Sequence, residues 1–167
     1  MKIIFEKLAD EIQNATFSYE DFNVLGKGFS RLTISTYLLE VSYKGNYIRI
    51  KNEFGNHNLG TVELIIKNRT LPEFEIKSGN HFFNLFLPKR KMINVYCKNY
   101  AFKKFLEKKL IDSKLEQIAQ NNLFEPKITN NTFEFNSTIQ TLYHLEFEDK
   151  IGALKALINF HKELIDY

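Results

Sequence analysis

The chain has 167 residues, of which 44% are hydrophobic and 26% are charged, and this composition excludes a disordered or fibrous protein. A chain of this length can form one domain whose hydrophobic core is large enough to be stable without disulfide bonds or a structural metal. The single cysteine, Cys97, excludes a disulfide framework within the chain. The formal net charge of +3 is too small to indicate a nucleic-acid or membrane partner by itself.

The first part of the chain changes from a helical pattern to a strand pattern. Ile4, Leu8 and Ile12 recur four residues apart with charged residues between them, which predicts an amphipathic helix over residues 2–14. Residues 15–30 have no single period. From Arg31 onward apolar and polar residues alternate between turn-forming residues, as is typical of antiparallel strands. The strands are predicted around 31–43, 47–50, 62–66, 73–76, 81–87 and 92–97.

Helical spacing returns after residue 100 and predicts two short helices. The residues that share the apolar face of the first are Phe102, Phe105, Leu106 and Leu110. Those that share the apolar face of the second are Leu115, Ile118 and Ala119. Residues 127–129 and 132–135 then predict a hairpin with its turn at 130–131, because the two asparagines there are common turn residues.

The clearest pattern is that of a long C-terminal helix. Asp149 is placed to cap it, and the apolar residues that follow have helical spacing. This stripe consists of Ile151, Leu154, Leu157, Ile158, His161 and Ile165. The order of elements predicts a single α+β domain over residues 1–167. The predicted domain consists of an antiparallel β-sheet with an N-terminal helix, two short mid-chain helices and a long C-terminal helix packed on the sheet.

Positive charge is concentrated in the middle of the chain. Residues 77–114 contain ten Lys/Arg and two Asp/Glu, whereas residues 1–76 and 115–167 are each slightly acidic. Such a basic segment with aromatic residues nearby is suited to a phosphate backbone, an anionic lipid surface or an acidic protein. The alternative is an ordinary lysine-rich surface that the acidic C-terminal third neutralises. The candidate binding residues are Lys89, Arg90 and Lys91 in a turn, and Lys103, Lys104 and Lys108 on the solvent side of a helix.

No pattern of a catalytic, cofactor or metal site is found. The four histidines are far apart in sequence and no cysteine cluster accompanies them, so no metal site is predicted. His161 lies on the apolar stripe and is predicted to be a core histidine, and Cys97 lies in a strand pattern. The glycine-rich segment at 26–29 matches the phosphate-binding and RNA-recognition motifs only in fragments.

From Thr61 the order of segments resembles a known group of proteins. The segments are TVELIIKN, LPEFEIKS, FFNLF, YCKNYAFKKFLEKKL, PKITNNTFEF and a C-terminal helix. Residues 61–167 are similar to the soluble domain of a group of uncharacterised bacterial proteins, whose P-x-F-x-[IL] strand matches Pro72, Phe74 and Ile76. Members of that group often carry two membrane spans ahead of the domain, and this chain departs from them in lacking the spans. The resemblance implies an α+β fold and no catalytic residue.

These observations predict a bacterial, non-enzymatic interaction module that binds a protein partner, with the profile of an immunity protein. Without a signal-peptide pattern or a long apolar run, it is expected to be cytoplasmic and to lack a transmembrane segment. Three alternatives stay open. One is a carrier of a lipid or small apolar ligand, and another binds nucleic acid or an anionic membrane surface through residues 77–114. The third is an enzyme whose site forms around His144 or His161 in the fold.

Overall fold

A computed structural model describes residues 1–25, 31–55, 57–78, 92–122 and 124–167 of the chain. Within these residues, eight strands form one antiparallel sheet, and four helices accompany it. The fold is therefore α+β, as predicted from the order of elements. The strand predicted at 81–87 lies outside the described residues.

The helices are α1 (Lys2–Glu11), α2 (Tyr100–Asp112), α3 (Leu115–Asn122) and α4 (Lys150–Asp166). The strands are β1 (Ala15–Leu25), β2 (Arg31–Tyr43), β3 (Asn46–Phe54), β4 (Leu59–Ile66), β5 (Phe74–Ser78), β6 (Ile93–Cys97), β7 (Lys127–Phe133) and β8 (Asn136–His144). Their order in the sheet is β1-β2-β3-β4-β8-β7-β5-β6. The β7–β8 hairpin thus lies between β4 and β5, which are consecutive in sequence.

The register gives the sheet one buried face and one open face. In β3, Ile50 is buried and Arg49 is exposed. Ile50 lies opposite the buried Val62 of β4, while Arg49 lies opposite Glu63. Because neighbouring residues of antiparallel strands share a face, the alternation continues across the sheet. We call the buried side, against which the helices pack, the inner face and the other side the open face.

Helix α4 supplies the largest part of the layer that covers the inner face. Asp149 caps it as predicted, because its carboxylate accepts a hydrogen bond from the Gly152 backbone N–H at 2.8 Å. Its buried residues are Ala153, Leu154, Ala156, Leu157, Ile158, Phe160, His161, Leu164 and Ile165. The predicted apolar stripe is confirmed, although Ile151 is only half-buried.

His161 is a fully buried core residue, as predicted from its place in the apolar stripe. Its Nδ1 lies 2.7 Å from the Leu157 carbonyl oxygen, and its Nε2 lies 3.2 Å from the Thr141 hydroxyl. In the neutral ring one nitrogen donates and the other accepts. Because the Leu157 carbonyl can only accept, Nδ1 donates to it, and Nε2 accepts from the Thr141 hydroxyl. Burial lowers the pKa of the His161 imidazole to about 4, because the charged form loses its hydration.

Arg69 ties the connection between β4 and β5 to the end of α4. Its guanidinium donates to the carbonyl oxygens of Leu164 and Ile165, each at 2.9 Å. A cation beside the last carbonyls of a helix also interacts favourably with the helix dipole. The Arg69 carbonyl accepts a hydrogen bond from the Ser137 hydroxyl of β8 at 3.2 Å. Helix and sheet are therefore joined by polar contacts as well as by apolar packing.

The predicted turn at 130–131 is wrong. Strand β7 continues through these residues, and the chain reverses at 134–135 instead. The Asn130 side chain is buried and donates to the carbonyl oxygens of Leu71 and Pro72, each at 3.1 Å. This asparagine satisfies carbonyls of a neighbouring segment, a tertiary role that local turn statistics do not contain.

Strand β1 has no counterpart among the sequence-based predictions. Its residues from Ser18 to Leu25 are exposed on both faces and pair only with β2, which continues beyond β3 to Arg31. Where neither face is covered by helices, no alternation of apolar and polar residues is required. This explains why residues 15–25 have no clear period although they form a strand.

The buried His161 is expected to make stability depend on pH. Its pKa is near 6.5 in the unfolded chain and about 4 in the folded protein, so stability is lost as the pH falls from about 6.5 through 4. Between pH 7 and pH 4 this loss is about 3 kcal/mol. Urea unfolding at the two pH values should show this loss in the natural protein, and His161→Gln should lose about 3 kcal/mol less than the natural protein over the same interval.

His144→Gln is the matched control, because His144 is exposed at the end of β8. We expect this variant to lose as much stability as the natural protein over the same pH interval. An equal loss in His161→Gln would contradict the assignment to the buried ring.

Candidate functional site

Helix α2 carries the predicted basic residues that the structure describes. The Asn99 side chain caps the helix by accepting from the Phe102 backbone N–H at 3.0 Å. Phe102 and Leu106 are fully buried, while Phe105 packs beside the ring of Tyr167 with 4.6 Å between centroids. The apolar face is thus used for packing, and the lysines of the other face are directed towards solvent.

The three helical candidate lysines have different surroundings. Lys103 is half-buried, whereas Lys104 and Lys108 are exposed. Lys104 pairs with Glu107 of the same helix at 3.2 Å and lies over the ring of Tyr100. Within the described part of the chain, Lys103 and Lys108 have no ion pair. The three other candidates, Lys89, Arg90 and Lys91, lie outside the described residues.

The acidic C-terminal third neutralises a lysine that the sequence did not single out. Lys109 lies 2.6 Å from the Glu163 carboxylate of α4 and 3.7 Å from Asp112. The hydrogen bond to Glu163 raises the pKa of the Lys109 amine. Two further acidic residues of this third have other partners, since Glu116 accepts from the Met92 backbone N–H and Asp166 pairs with a lysine of the β2–β3 turn.

A groove of about 840 Å³ lies beside the start of α2 and opens on the open face across β7, β5 and β6. Its volume falls within the range of ligand pockets. The polar and aromatic residues that line it include Glu73, Glu75, Tyr96, Lys98, Lys103 and Asn131. Lys103 therefore belongs both to the basic side of α2 and to the groove.

The groove contains one neutralised carboxylate and two lysines without a counter-ion. Glu75 lies 3.3 Å from the amines of both Lys77 and Lys127, and their hydrogen bonds lower the pKa of the Glu75 carboxyl. Among the described residues, Lys98 and Lys103 form no ion pair. With Glu73 as the other carboxylate, the groove has a small excess of positive charge.

A second depression of about 470 Å³ adjoins the groove on the open face. The two share Thr129 of β7. The second one is lined by polar residues such as Glu63, Lys127 and Gln140. The open face therefore has two neighbouring depressions, one across β4, β8 and β7 and one across β7, β5 and β6.

The chemical groups of the groove include carboxylates, amines, amides and one thiol. In the described ranges, no three His, Cys, Asp or Glu residues converge as metal ligands would. His144 is exposed at the end of β8, opposite Leu59, whereas His161 is buried on the inner face, where it contacts Thr141. Cys97 is a half-buried free thiol in the groove wall. None of the helices in the described part of the chain is both long and apolar enough to span a membrane.

Comparisons with models of protein families, with curated proteins and with solved structures found no match. The function is therefore argued from the geometry of the groove and of α2.

Lys98 was not among the candidates from the sequence, although a signal for it exists. It comes directly after β6, two residues beyond Tyr96, which lies opposite Glu75, and all three residues line the groove. The sequence cannot show that β5 and β7 lie next to this strand, and only that neighbourhood turns Lys98 into a groove residue.

The contrast between Lys108 and Lys109 can be tested by amine acylation. We expect Lys109 to react more slowly than Lys108, because its raised pKa leaves less of the neutral amine that reacts. Peptide mass spectrometry measures both rates in one sample. Glu163→Gln should accelerate the labelling of Lys109 and leave that of Lys108 unchanged, and equal rates in the natural protein would contradict the ion pair.

Proposed function

We propose that the protein is a non-catalytic interaction module that binds an acidic surface of a partner protein. The binding residues are Lys103, Lys104 and Lys108, which we call the basic surface. The observation that carries the proposal is that Lys103 and Lys108 have no counter-ion in the described part of the chain, while Glu163 of the acidic third pairs with Lys109. The Lys104 amine is exposed while Glu107 is half-buried, and an ion pair of an exposed amine contributes little to stability, so Lys104 can pair with a carboxylate of a partner instead.

Exposed aromatic residues accompany these charges. Tyr96 is 51% exposed with the Lys77 amine 4.8 Å from its ring centroid, and Tyr100 is 72% exposed beneath the Lys104 amine. Tyrosine is enriched at the centres of protein interfaces, where its ring is buried and its hydroxyl is hydrogen-bonded. Lysines at the rim of such an interface accelerate association with an acidic partner. The combination supports a protein partner.

A nucleic acid is supported less well by the same residues. Phe102 is buried and Phe105 packs on Tyr167, so neither ring is available to stack on a base. The adjoining groove also carries the carboxylate of Glu73, which repels a continuous phosphate backbone. The carboxylates of a protein surface are separate groups, so they can lie next to the lysines and away from the carboxylates of the groove.

A lipid or apolar-ligand carrier requires an enclosed apolar cavity. The two depressions on the open face are open to solvent, and each is lined by a mixture of polar and apolar residues. On the inner face, the side chains of α4 pack against the sheet. These observations favour surface recognition over internal binding of a lipid. The proposed protein has the profile of an immunity protein. It is a cytoplasmic bacterial module that neutralises its partner by covering the partner's surface.

Polyglutamate is a suitable probe for the binding of an acidic protein surface. Duplex DNA and phosphatidylserine vesicles represent the two alternative kinds of partner, nucleic acid and anionic membrane. We expect salt-dependent binding of polyglutamate that weakens about tenfold or more in Lys103→Glu/Lys104→Glu/Lys108→Glu. Fluorescence anisotropy measures the polyglutamate and DNA affinities, and co-sedimentation measures vesicle binding. Tighter binding of DNA or vesicles than of polyglutamate would contradict a protein partner.

The matched control reverses three exposed lysines elsewhere, in Lys2→Glu/Lys51→Glu/Lys67→Glu, with the same change in net charge. It should bind polyglutamate nearly as well as the natural protein. An equal loss in both triple variants would show that net charge, and no defined surface, is responsible. Lys89→Glu/Arg90→Glu/Lys91→Glu tests in the same assay whether the remaining candidates belong to the basic surface.

A further inference from the structure

The turn between β7 and β8 is made of residues that are poorly suited to it. Glu134 and Phe135 have φ angles of 45° and 63°. Two-residue hairpin turns with positive φ at both positions strongly favour Asn-Gly, because a larger side chain on a left-handed backbone is disfavoured sterically. A bulky phenylalanine at such a position is rare enough to need an explanation.

The same turn exposes two aromatic rings. Phe133 is 73% exposed and Phe135 is 82% exposed. The carboxylate of Glu134 lies between them in sequence and forms no ion pair within the described ranges. We call residues 133–135 the aromatic tip. Neither the backbone strain nor the exposure helps the folded chain, so the aromatic tip is best explained by contact with another molecule.

The groove beside α2 lies close to the aromatic tip and has the complementary chemistry. Asn131, which lines the groove, precedes Phe133 by two residues on β7. Tyr96 and Pro72 offer apolar surface in the groove, and Lys98 and Lys103 offer amines without a counter-ion among the described residues. The Glu134 carboxylate between two rings therefore matches a groove that holds two amines without counter-ions among the described residues and the ring of Tyr96.

We propose that two copies of this chain associate about a two-fold axis, with the aromatic tip of each copy in the groove of the other. Because tip and groove are neighbours on the same end of the sheet, one axis between them allows both insertions at once. Each contact is then made twice, which doubles the area buried. Glu134 of one copy pairs with Lys98 of the other. This goes beyond the proposed function, and Lys103 is the only residue common to both.

The association can be followed by sedimentation equilibrium and by fluorescence. The natural protein should shift from monomer to dimer between micromolar and millimolar concentration. The chain contains no tryptophan, so Phe135→Trp introduces a single reporter at the aromatic tip. Its emission should move to shorter wavelength as the concentration rises and return on dilution. A natural protein that stays monomeric throughout would overturn the proposal, whatever other molecule the aromatic tip binds.

A charge exchange identifies the contact. Glu134→Lys and Lys98→Glu should each weaken self-association about tenfold or more, because each places like charges together in both copies of the contact. A mixture of the two variants should form a heterodimer, since opposite charges then face each other at both tips. Failure of the mixture to associate, with each variant folded, would overturn the pairing of Glu134 with Lys98.

A turn replacement separates binding from stability. Glu134→Asn/Phe135→Gly removes the strain and the exposed ring, so it should raise the melting temperature by about 2–4 °C and yield a monomer. A variant that remains dimeric would overturn the proposal. Lys104→Glu/Lys108→Glu changes only residues outside the groove and should leave the dimer intact. The same variant should bind polyglutamate more weakly, so unchanged polyglutamate binding would contradict the proposed function, whereas loss of the dimer would contradict the contact between tip and groove.

Discussion

The burial of α4 against one face of the sheet is the constraint on which the rest of the structure depends. Nine residues of this helix are buried, and two polar contacts place it: His161 with Thr141 of β8, and Arg69 with the carbonyls at its end. These contacts join the helix to the centre of the sheet and to the connection between β4 and β5. Because one helix layer covers the inner face, the open face is left to solvent.

The candidate binding features lie where this layer does not reach. The groove opens on the open face, the basic surface is the solvent side of α2, and the aromatic tip projects beyond the end of β7. Their charges are distributed by tertiary pairing. Glu163 neutralises Lys109 and two lysines neutralise Glu75, which leaves Lys98, Lys103 and Lys108 without counter-ions in the described part of the chain. The surface presents this remaining pattern to solvent, and the pattern differs from the formal charge of the segment.

The sequence predicted those elements whose burial imposes a period. Helix α4, its Asp149 cap and the core position of His161 follow from a one-sided apolar stripe, and the strands with one covered face follow from alternation. Strand β1 was not predicted, because its uncovered part has no reason to alternate. The hairpin was predicted with the wrong turn, because Asn130 serves the carbonyls of Leu71 and Pro72 and the true turn has none of the usual turn residues.

The sequence by itself determined the α+β class, the amphipathic helices and the concentration of lysines in residues 77–114, because these depend on composition and on local periodicity. Only the tertiary structure decided that β8 lies beside β4, that Lys98 and Lys103 share a groove with Glu73, and that Glu163 pairs with Lys109. Strand order and ion pairing join residues far apart in the chain, and no local pattern specifies which distant partners meet. The candidate site could therefore be predicted as a set of lysines, but its shape and its remaining charge could not.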